Sequence, residues 1–470
     1  MFLLDKNNKQ PLVSQLYNQI KERILSGEMA KGVRLKSVRA FARELNISRN
    51  TVENTYQQLV SEGYIDSKPC SGYFVAALDL FWAGAQEAKA DDVACADASG
   101  DDGCIDFNPA SLSPDAFPLT LWRKLLAECV DEERYRLSVY SDSQGDSGLR
   151  REIKKYLAAS RGVSCEPEQI VICAGTAQGL TLLCQILKQT YSAIAMEEPG
   201  YYTARSVFCN HSFQILPIAV GPDGIDIPQL KQSAGKVVYV TPSHQFPLGY
   251  VMSIANRFKL LQWAEETNGV VIEDDYDSEL CYYGQPIPSL QGLNPTGRIV
   301  YLGTFSKSLS PALRASYMVL PWPLLAEYKK MFRDYQSPVS LLTQSVLEKF
   351  ISRGHWERHL RKIRVTYRKK HDAVLKALEN TFDNRVSVIS KGAGLHIPLA
   401  ISADLSDLEL VDYARKAGVR TYPLSVCSAV GTPRMGVRLG FGSVSDEDIE
   451  KGIKLLHSAW FTSISKKLYQ

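Results

Sequence analysis

Lys307 closes the segment Thr304-Phe305-Ser306-Lys307, which follows an apolar stretch typical of a buried strand. A lysine at the mouth of a buried sheet can lose its proton and form a Schiff base with an aldehyde. Arg314 follows seven residues later and could pair with a phosphate group. The segment therefore predicts a site where a phosphorylated aldehyde is bound covalently.

Two further segments supply groups that such a ligand would need. The stretch 271–276 ends another predicted strand with carboxylates, and an Asp in that place can keep a pyridine nitrogen protonated. Gly175-Thr176 joins a strand to a helix, where backbone N–H groups can bind a phosphate. Together these segments predict an aldehyde anchor, a ring-nitrogen partner and a phosphate cradle in one site.

The elements around these motifs alternate between strand and helix from residue 105 onward. The predicted strands are Ile170–Cys173, Ala193–Met196, Val237–Val240, Val270–Glu273, Ile299–Leu302 and Tyr317–Leu320. This alternation predicts an α/β fold with a mainly parallel sheet and helices on both faces. After Pro323 the chain is predicted helical, with a long basic stretch from His355 to Leu378. We interpret its part from His355 to Lys370 as a solvated helix face rather than as a second nucleic-acid site. A small α+β region follows it.

Residues 1–77 show a different pattern. Apolar residues recur at helical spacing from Pro11 to Leu25, and Ser37 and Ser48 are placed to cap a second and a third helix. Two short strands follow, at 64–66 and 73–75, joined by a turn that contains Pro and Gly. Three helices and a hairpin in this order predict a winged helix-turn-helix whose third helix enters the DNA major groove.

The predicted third helix begins with residues suited to DNA. Arg49 and Asn50 can read guanine and adenine edges, while Ser48 and Thr51 suit phosphates. The remaining predicted contacts are Arg39, Arg43 and Lys68 near the DNA backbone and Gly72 in the wing. The alternative is a small helical domain whose charges are merely solvated.

Composition limits the remaining possibilities. The net charge is only +3, so the whole chain is not a general polyanion binder, and no apolar run approaches a membrane span. The N-terminus is too short in apolar residues and too soon charged for a signal peptide, so we expect a cytoplasmic protein. Ten cysteines without a C-x-x-C pair predict neither a zinc site nor a disulfide framework. Residues 78–104 are rich in Ala, Asp and Gly, which predicts a flexible acidic linker; a surface loop of the second domain is the alternative.

The motifs of residues 1–77 resemble a known family. Ser37-Val38-Arg39, Ile47-Ser48-Arg49, Glu62-Gly63 and Ser71-Gly72 are similar to the DNA-binding domain of GntR-type bacterial regulators. Lys36 and Cys70 depart from that pattern, where Pro and Gly are usual. Residues 105–470 resemble the fold-type I aminotransferases. The segments 241–247 and 273–279 are similar in sequence to the corresponding motifs of the MocR subfamily of GntR regulators, in which both domains are fused.

The resemblance implies pyridoxal 5'-phosphate (PLP) as cofactor and assigns roles to residues. Lys307 would anchor the cofactor, Asp274 would bind its ring nitrogen and Tyr276 its ring hydroxyl. The implied phosphate ligands are Gly175, Thr176, Thr304, Arg314 and, from the neighbouring subunit, Tyr140. Tyr201 would stack on the ring, with Tyr202 as its rival, and Arg438 would bind an incoming carboxylate, with Arg434 as a competitor. His244 or Gln245 would lie near the ring, where aminotransferases have an Asn.

The implied function is a PLP-dependent transcriptional regulator that forms a homodimer, with the DNA-binding heads exchanged head-to-tail. Its partners would be a double-stranded DNA operator and an effector, either an amine or amino acid or PLP itself. The rival hypothesis is an active aminotransferase with a vestigial head. Ala177 and Ala110 depart from the subfamily pattern, and Ala110 bears on the substrate side of the pocket.

Overall fold

The computed structural model describes residues 2, 4–5, 10–68, 71–76, 103–283, 287–294, 297–403, 405–430 and 436–462. The chain divides into two compact units, Met1–Gly100 and Asp101–Gln470, which we call the head and the body. The predicted linker at 78–104 lies outside the described residues except for 103 and 104, and Cys70 and Arg434 lie outside them as well.

The head contains the three predicted helices and the hairpin: α1 (Leu12–Leu25), α2 (Val38–Leu45), α3 (Arg49–Ser61), β1 (Ile65–Lys68) and β2 (Gly72–Val75). Ser37 and Ser48 cap α2 and α3 by accepting hydrogen bonds from backbone N–H groups three residues later. The apolar face of α1 packs against α3, and α3 also packs against α2 and β1 of the antiparallel hairpin. Apolar residues of all these elements form a core of the head's own. The head therefore contains α3 as a distinct helix whose N-terminus is capped by Ser48 and exposed.

The helices of the body are α4 (Leu119–Glu132), α5 (Ser147–Arg161), α6 (Thr176–Leu187), α7 (Tyr202–Asn210), α8 (Ile227–Gln232), α9 (Ile254–Thr267), α10 (Leu290–Leu293), α11 (Trp322–Met331), α12 (Leu341–Ser352), α13 (His355–Thr381), α14 (Asp407–Lys416) and α15 (Asp446–His457). Its strands are β3 (Ile105–Asp106), β4 (Ile170–Cys173), β5 (Ala193–Glu198), β6 (Gln214–Gly221), β7 (Gly224–Ile225), β8 (Val237–Val240), β9 (Val270–Asp275), β10 (Ile299–Thr304), β11 (Ser316–Val319), β12 (Val386–Val388), β13 (His396–Ile401), β14 (Val419–Arg420), β15 (Tyr422–Pro423) and β16 (Val437–Gly440).

Eight strands form the main sheet of the body in the order β4-β11-β10-β9-β8-β5-β6-β7. The central strands β6, β5, β8, β9 and β10 are parallel, whereas β11 runs antiparallel to both of its neighbours. Buried apolar clusters join this sheet to helices on both of its faces. The carboxyl ends of the parallel strands therefore meet at one edge, where α/β proteins commonly bind ligands.

A second, antiparallel sheet of the body has the order β12-β13-β16-β15, and β3 pairs with β14. The long helix α13 buries one face, including Trp356 and Tyr367, while most of its basic residues are exposed. In the described part of the chain, no helix is long and apolar enough to cross a membrane. The same residues contain no group of three or more His, Cys, Asp or Glu that could hold a metal ion.

Candidate functional site

A cavity of about 370 Å³ lies at the carboxyl ends of the parallel strands β8, β9 and β10. Nine of the ten residues predicted to bind a small molecule line it: Gly175, Thr176, Tyr201, Asp274, Tyr276, Thr304, Lys307, Arg314 and Arg438. The structure thus brings together residues that are up to 263 positions apart in the chain, between Gly175 and Arg438 (438 − 175). Their roles toward a ligand stay predictions.

Lys307 follows the turn at the end of β10. The turn is held by Thr304, whose Oγ1 accepts a hydrogen bond of 3.1 Å from the backbone N–H of Ser306. Lys307 Nζ donates to the backbone carbonyl of Pro109 at 3.1 Å. Burial lowers the pKa of Lys307; Asp277 opposes this shift and Arg438 adds to it. The amine is therefore closer to the neutral, nucleophilic form than that of an exposed lysine.

Asp274 lies at the end of β9 with 3% of its surface exposed. Its Oδ2 accepts a hydrogen bond of 2.5 Å from the hydroxyl of Tyr239 on β8, and its Oδ1 has no partner among the described residues. Burial raises the pKa of Asp274 to about 7, while the bond from Tyr239 opposes that rise. A buried carboxylate oxygen without a partner suits a ligand that brings an N–H donor or a positive charge.

The start of α6 forms a cradle for an anion. Gly175 precedes the helix with φ of 92°, and no side chain caps the helix N-terminus. A Cβ on Gly175 would lie 2.1 Å from Nη2 of Arg314, so only glycine allows this close approach. The helix N-terminus and the guanidinium together favour a phosphate-sized anion.

Aromatic rings line the cavity next to this cradle. The rings of Tyr201 and Phe246 are 5.2 Å apart, and Tyr202 lies 6.1 Å from Phe246. Both tyrosines line the cavity, so the geometry does not distinguish which of them would stack on the ring of a ligand. Burial raises the pKa of Tyr201, which keeps its hydroxyl protonated.

Arg438 reaches the cavity from β16 of the second sheet. It is 5% exposed, and its Nε has no hydrogen-bond partner among the described residues. Its guanidinium lies 4.9 Å from the centre of the Phe246 ring. An arginine held this way can still receive a carboxylate from a ligand.

Neither His244 nor Gln245 lines the cavity, although both are buried. The side-chain amide nitrogen of Gln245 donates hydrogen bonds to the backbone carbonyls of Pro199 and Phe246, at 2.8 and 2.6 Å. His244 instead touches two cavity residues through Nδ1: Asp277 Oδ2 at 2.8 Å and the Tyr276 hydroxyl at 3.0 Å. Of the two, His244 therefore acts on the cavity, through Tyr276 and Asp277.

Tyr140 is the predicted residue that this cavity does not include. It is 89% exposed on the body, so its predicted role toward a neighbouring subunit stays a prediction.

Sequence reasoning missed several lining residues: Asn108, Pro109, Phe246, Asp277, Leu395, His396 and Tyr422. Asp277 and Phe246 lie inside segments already noted, and Asn108 and Pro109 directly precede Ala110, which the sequence placed on the substrate side of the pocket. Leu395, His396 and Tyr422 come from parts of the chain that carried no motif. Burial and the neighbouring His244 and Arg438 hold the pKa of His396 well below its usual range.

The head places its predicted DNA contacts on the surface. Ser48 Oγ accepts from the backbone N–H of Thr51 at 3.0 Å, which fixes the start of α3, and Arg49 and Asn50 are exposed there. Arg39 and Arg43 on α2 are exposed as well. Lys68, at the end of β1, lies with Nζ 4.9 Å from the centre of the Phe74 ring in the wing.

Gly72 has φ of 102°, and a Cβ placed on it would lie 3.6 Å from Nε of Arg34. Arg34, which sequence reasoning missed, is thus a further exposed basic residue beside the wing. Exposed basic residues thus stand on α2, α3 and the wing, where a winged helix-turn-helix contacts DNA, and the acidic Glu44, Glu53 and Asp66 are exposed on the same elements.

Comparisons with known proteins match both units. Residues 111–456 match the family "Aminotransferase class I and II", and residues 12–75 match "Bacterial regulatory proteins, gntR family". The chain is 42% identical to the uncharacterized HTH-type transcriptional regulator YdeL of Bacillus subtilis (strain 168), over 96% of this chain and 97% of that protein. It is 33% identical to the probable rhizopine catabolism regulatory protein MocR of Rhizobium meliloti, over 98% of this chain and 96% of that one.

The solved structures to which the chain is similar include two aminotransferases at 25% identity or more. Kynurenine aminotransferase of Pyrococcus horikoshii, solved in complex with PMP, covers 77% of this chain and 91% of its own, with a TM-score of 0.72 and 27% identity. The α-aminoadipate aminotransferase LysN of Thermus thermophilus, complexed with N-(5'-phosphopyridoxyl)-L-leucine, covers 77% of this chain and 94% of its own, with a TM-score of 0.70 and 26% identity.

Proposed function

The chain belongs to the aminotransferase class I and II family, a PLP-dependent fold family, and it carries a gntR-family head, as the MocR-like regulators do. On that premise we propose that it is a transcriptional regulator that binds double-stranded DNA through its head and PLP in the cavity of its body. The observation that carries the proposal is the coexistence, in one chain, of an exposed and capped recognition helix with a cavity lined by Lys307 and Asp274. One carboxylate oxygen of Asp274 has no partner among the described residues.

The residues present fit PLP. Lys307 would hold the aldehyde carbon, Asp274 the ring nitrogen and Tyr276 the ring hydroxyl. The phosphate would be held by Gly175, Thr176, Thr304 and Arg314, and by Tyr140 of the partner subunit in a homodimer. Tyr201 is the proposed stacking residue. When bound, PLP supplies an aldehyde carbon and a ring that accepts electrons.

The chain's own groups set the conditions for an effector. The lowered pKa of Lys307 makes its amine available for bond formation and exchange with another amine. Arg438, whose Nε has no hydrogen-bond partner in the described part of the chain, would bind the carboxylate of an amino acid. An effector changes DNA binding only if it binds two conformations of the dimer with different affinities. We expect a homodimer with heads exchanged head-to-tail, and an amine or amino acid as the effector.

The test is an absorption spectrum of the purified chain with added PLP, for the wild type, Lys307→Ala and the control Lys370→Ala. Lys370 is a half-buried lysine outside the cavity, bonded to the carbonyl of Gly442. We expect a visible band in the wild type and the control, and its loss in Lys307→Ala. A wild type without a band would refute PLP binding and leave the DNA-binding proposal standing.

A second experiment on the same proteins distinguishes the amine sensor from two rival functions, an active aminotransferase and a regulator whose effector is PLP itself. Turnover with a keto-acid acceptor, together with loss of sequence-specific DNA binding, would identify an active aminotransferase; Lys307 and Arg438 are the groups that favour this reading. A change of DNA affinity on adding PLP alone, without any amine, would identify PLP itself as the effector. A change only when an amine is added would support the amine sensor.

A further inference from the structure

His244 is buried behind the cavity wall, with 3% of its surface exposed, and does not touch the cavity itself. Its ring is closely confined by two glycines of positive φ. A Cβ on Gly394 would lie 2.2 Å from Cε1 of His244, and a Cβ on Gly249 would lie 3.1 Å from Nε2. The imidazole is therefore held in one position.

One nitrogen of this ring serves two partners. Nδ1 of His244 lies 2.8 Å from Oδ2 of Asp277 and 3.0 Å from the hydroxyl oxygen of Tyr276. An imidazole nitrogen either carries a proton and donates, or lacks one and accepts. The presence or absence of a proton on Nδ1 therefore determines the direction of both hydrogen bonds, the one with Asp277 and the one with Tyr276.

The carboxylate decides the pattern. An ionised Asp277 can only accept, and its other oxygen, Oδ1, is buried without a partner among the described residues. If Nδ1 lacked a proton, its lone pair would face this carboxylate over 2.8 Å with no hydrogen between them. A proton on Nδ1 removes that repulsion and satisfies Oδ2 of Asp277.

This arrangement leaves the hydroxyl of Tyr276 with a defined direction. Because Nδ1 is a donor, the phenol oxygen faces an N–H and cannot donate its own proton there. Burial and the charge of Asp277 raise the pKa of Tyr276 well above its ordinary value, so the O–H stays intact. The remaining direction for this proton is the cavity that Tyr276 lines.

We infer that His244 is a positioning residue, which holds Tyr276 as a hydrogen-bond donor toward the cavity, where it would meet an electron-rich ring oxygen of the ligand. His244 itself makes no ligand contact. The inference rests on the proposed function, because it concerns how this chain would hold PLP. His396, whose ring lies 5.4 Å from that of His244, lines the cavity but bonds the carbonyl of Pro247 instead.

The experiment is a double-mutant cycle on the full chain: wild type, His244→Phe, Tyr276→Phe and the double variant. His244→Phe keeps a flat ring and removes Nδ1, and Tyr276→Phe removes only the hydroxyl. The first readout is PLP affinity from absorbance titration, and the second is the pH midpoint of the visible band. Two controls show that each variant is folded: its thermal unfolding, measured without PLP, and its binding to DNA.

Loss of the Tyr276 donor is expected to weaken PLP binding about tenfold, since hydrogen bonds to charged groups are the stronger class. It also moves the pH midpoint of the band upward, because an ionised ring oxygen loses its donor. His244→Phe should reproduce both effects, and the double variant should be no worse than Tyr276→Phe alone.

A conservative variant completes the test. His244→Asn retains an N–H that can replace Nδ1–H toward Asp277, so it should restore most of the affinity and the midpoint. Additive losses in the double variant, or an unchanged pH midpoint in His244→Phe with a normal wild-type band, would overturn this inference alone. A wild type with no band would overturn the proposed PLP binding and this inference with it.

Discussion

The hydroxyl of Tyr239 lies 2.5 Å from Oδ2 of Asp274, and both side chains are buried. Asp274 lines the cavity, whereas Tyr239 does not. The bond links neighbouring parallel strands, β8 and β9, at the place where both end. It stabilises the ionised form of Asp274, which burial disfavours, and so opposes the rise of its pKa to about 7. Tyr239 thus favours the charged form of Asp274 against the effect of burial.

Tyr239→Phe should therefore raise the pKa of Asp274 further and weaken PLP binding about tenfold at pH 7, since the lost bond is to a charged group. Raising the pH to about 8.5 should recover much of the affinity, because Asp274 then ionises. Titration with PLP at both pH values measures this. Tyr328→Phe, which loses a bond to the carbonyl of Ser143 outside the cavity, is the control. Equal losses at both pH values would contradict the prediction.

The raised pKa of Asp274 also predicts a pH dependence of stability without PLP. Below about pH 4 the carboxyl is protonated in the folded and the unfolded chain. Between about pH 4 and pH 7 the unfolded chain releases the proton more readily, so the free energy of unfolding falls as pH rises. The loss at pH 8 is about 4 kcal/mol at most, for a shift of roughly three pKa units.

Asp274→Asn carries no titrating proton, so it should be more stable than the wild type at pH 8 and closer to it at pH 5. Denaturant unfolding at the two pH values checks this. Glu197, Glu273 and Glu279 are also buried with pKa values raised to about 7, so only the difference between wild type and variant isolates Asp274. Asp115→Asn, an exposed substitution, should leave the wild-type dependence unchanged.

Gly175→Ala tests the anion cradle. The added Cβ would lie 2.1 Å from Nη2 of Arg314, and alanine disfavours φ of 92°, so the guanidinium must move away from the start of α6. We expect roughly tenfold weaker PLP binding, with DNA binding in the absence of PLP unchanged. Gly221→Ala is the matched control, because a Cβ there meets no atom within 4 Å. Equal PLP affinities of the two variants would argue against the cradle.

The head makes a prediction that is independent of the body's ligand. Operator sequences can first be selected from random double-stranded DNA with the full chain. Arg49→Ala should then cost about 1–3 kcal/mol on the selected operator and relax its preference at one base position. Lys68→Ala should weaken binding to all sequences alike and lower the slope of affinity against salt by about one. The reverse pattern in binding titrations would show that the two residues exchange these roles.

The strands and motifs of the body were predictable from local sequence. Each of the predicted strands is a short apolar run, and β8 is buried along its whole length, as expected in a parallel sheet covered on both faces. Lys307 and Asp274 were predictable because each directly follows or ends such a run. In the head, the serine caps at Ser37 and Ser48 marked two helix starts that the structure confirms.

Other features depend on contacts that local sequence does not encode. Strand β6 carries Pro217 in the middle of its apolar run, and a proline there argues against a strand in the sequence pattern. The pattern also does not predict that β11 runs antiparallel. Ala110 raised a question about the substrate side of the pocket, and the structure places it in the lining with Asn108 and Pro109. The link between His244 and Tyr276 spans 32 positions, and no spacing rule predicts it.

The hydrogen bond from Lys307 to the carbonyl of Pro109 has a consequence for communication along the chain. Pro109 lies three residues beyond β3, the first described element after the head, and β3 is tied to the rest of the body by β14 and by the bond from Tyr422 to Asp106. The lysine amine has few hydrogens, and a covalent bond to a ligand removes some of them. The ligand and Pro109 would therefore compete for one amine, so occupancy of the cavity would change a contact of the body that lies three residues beyond β3.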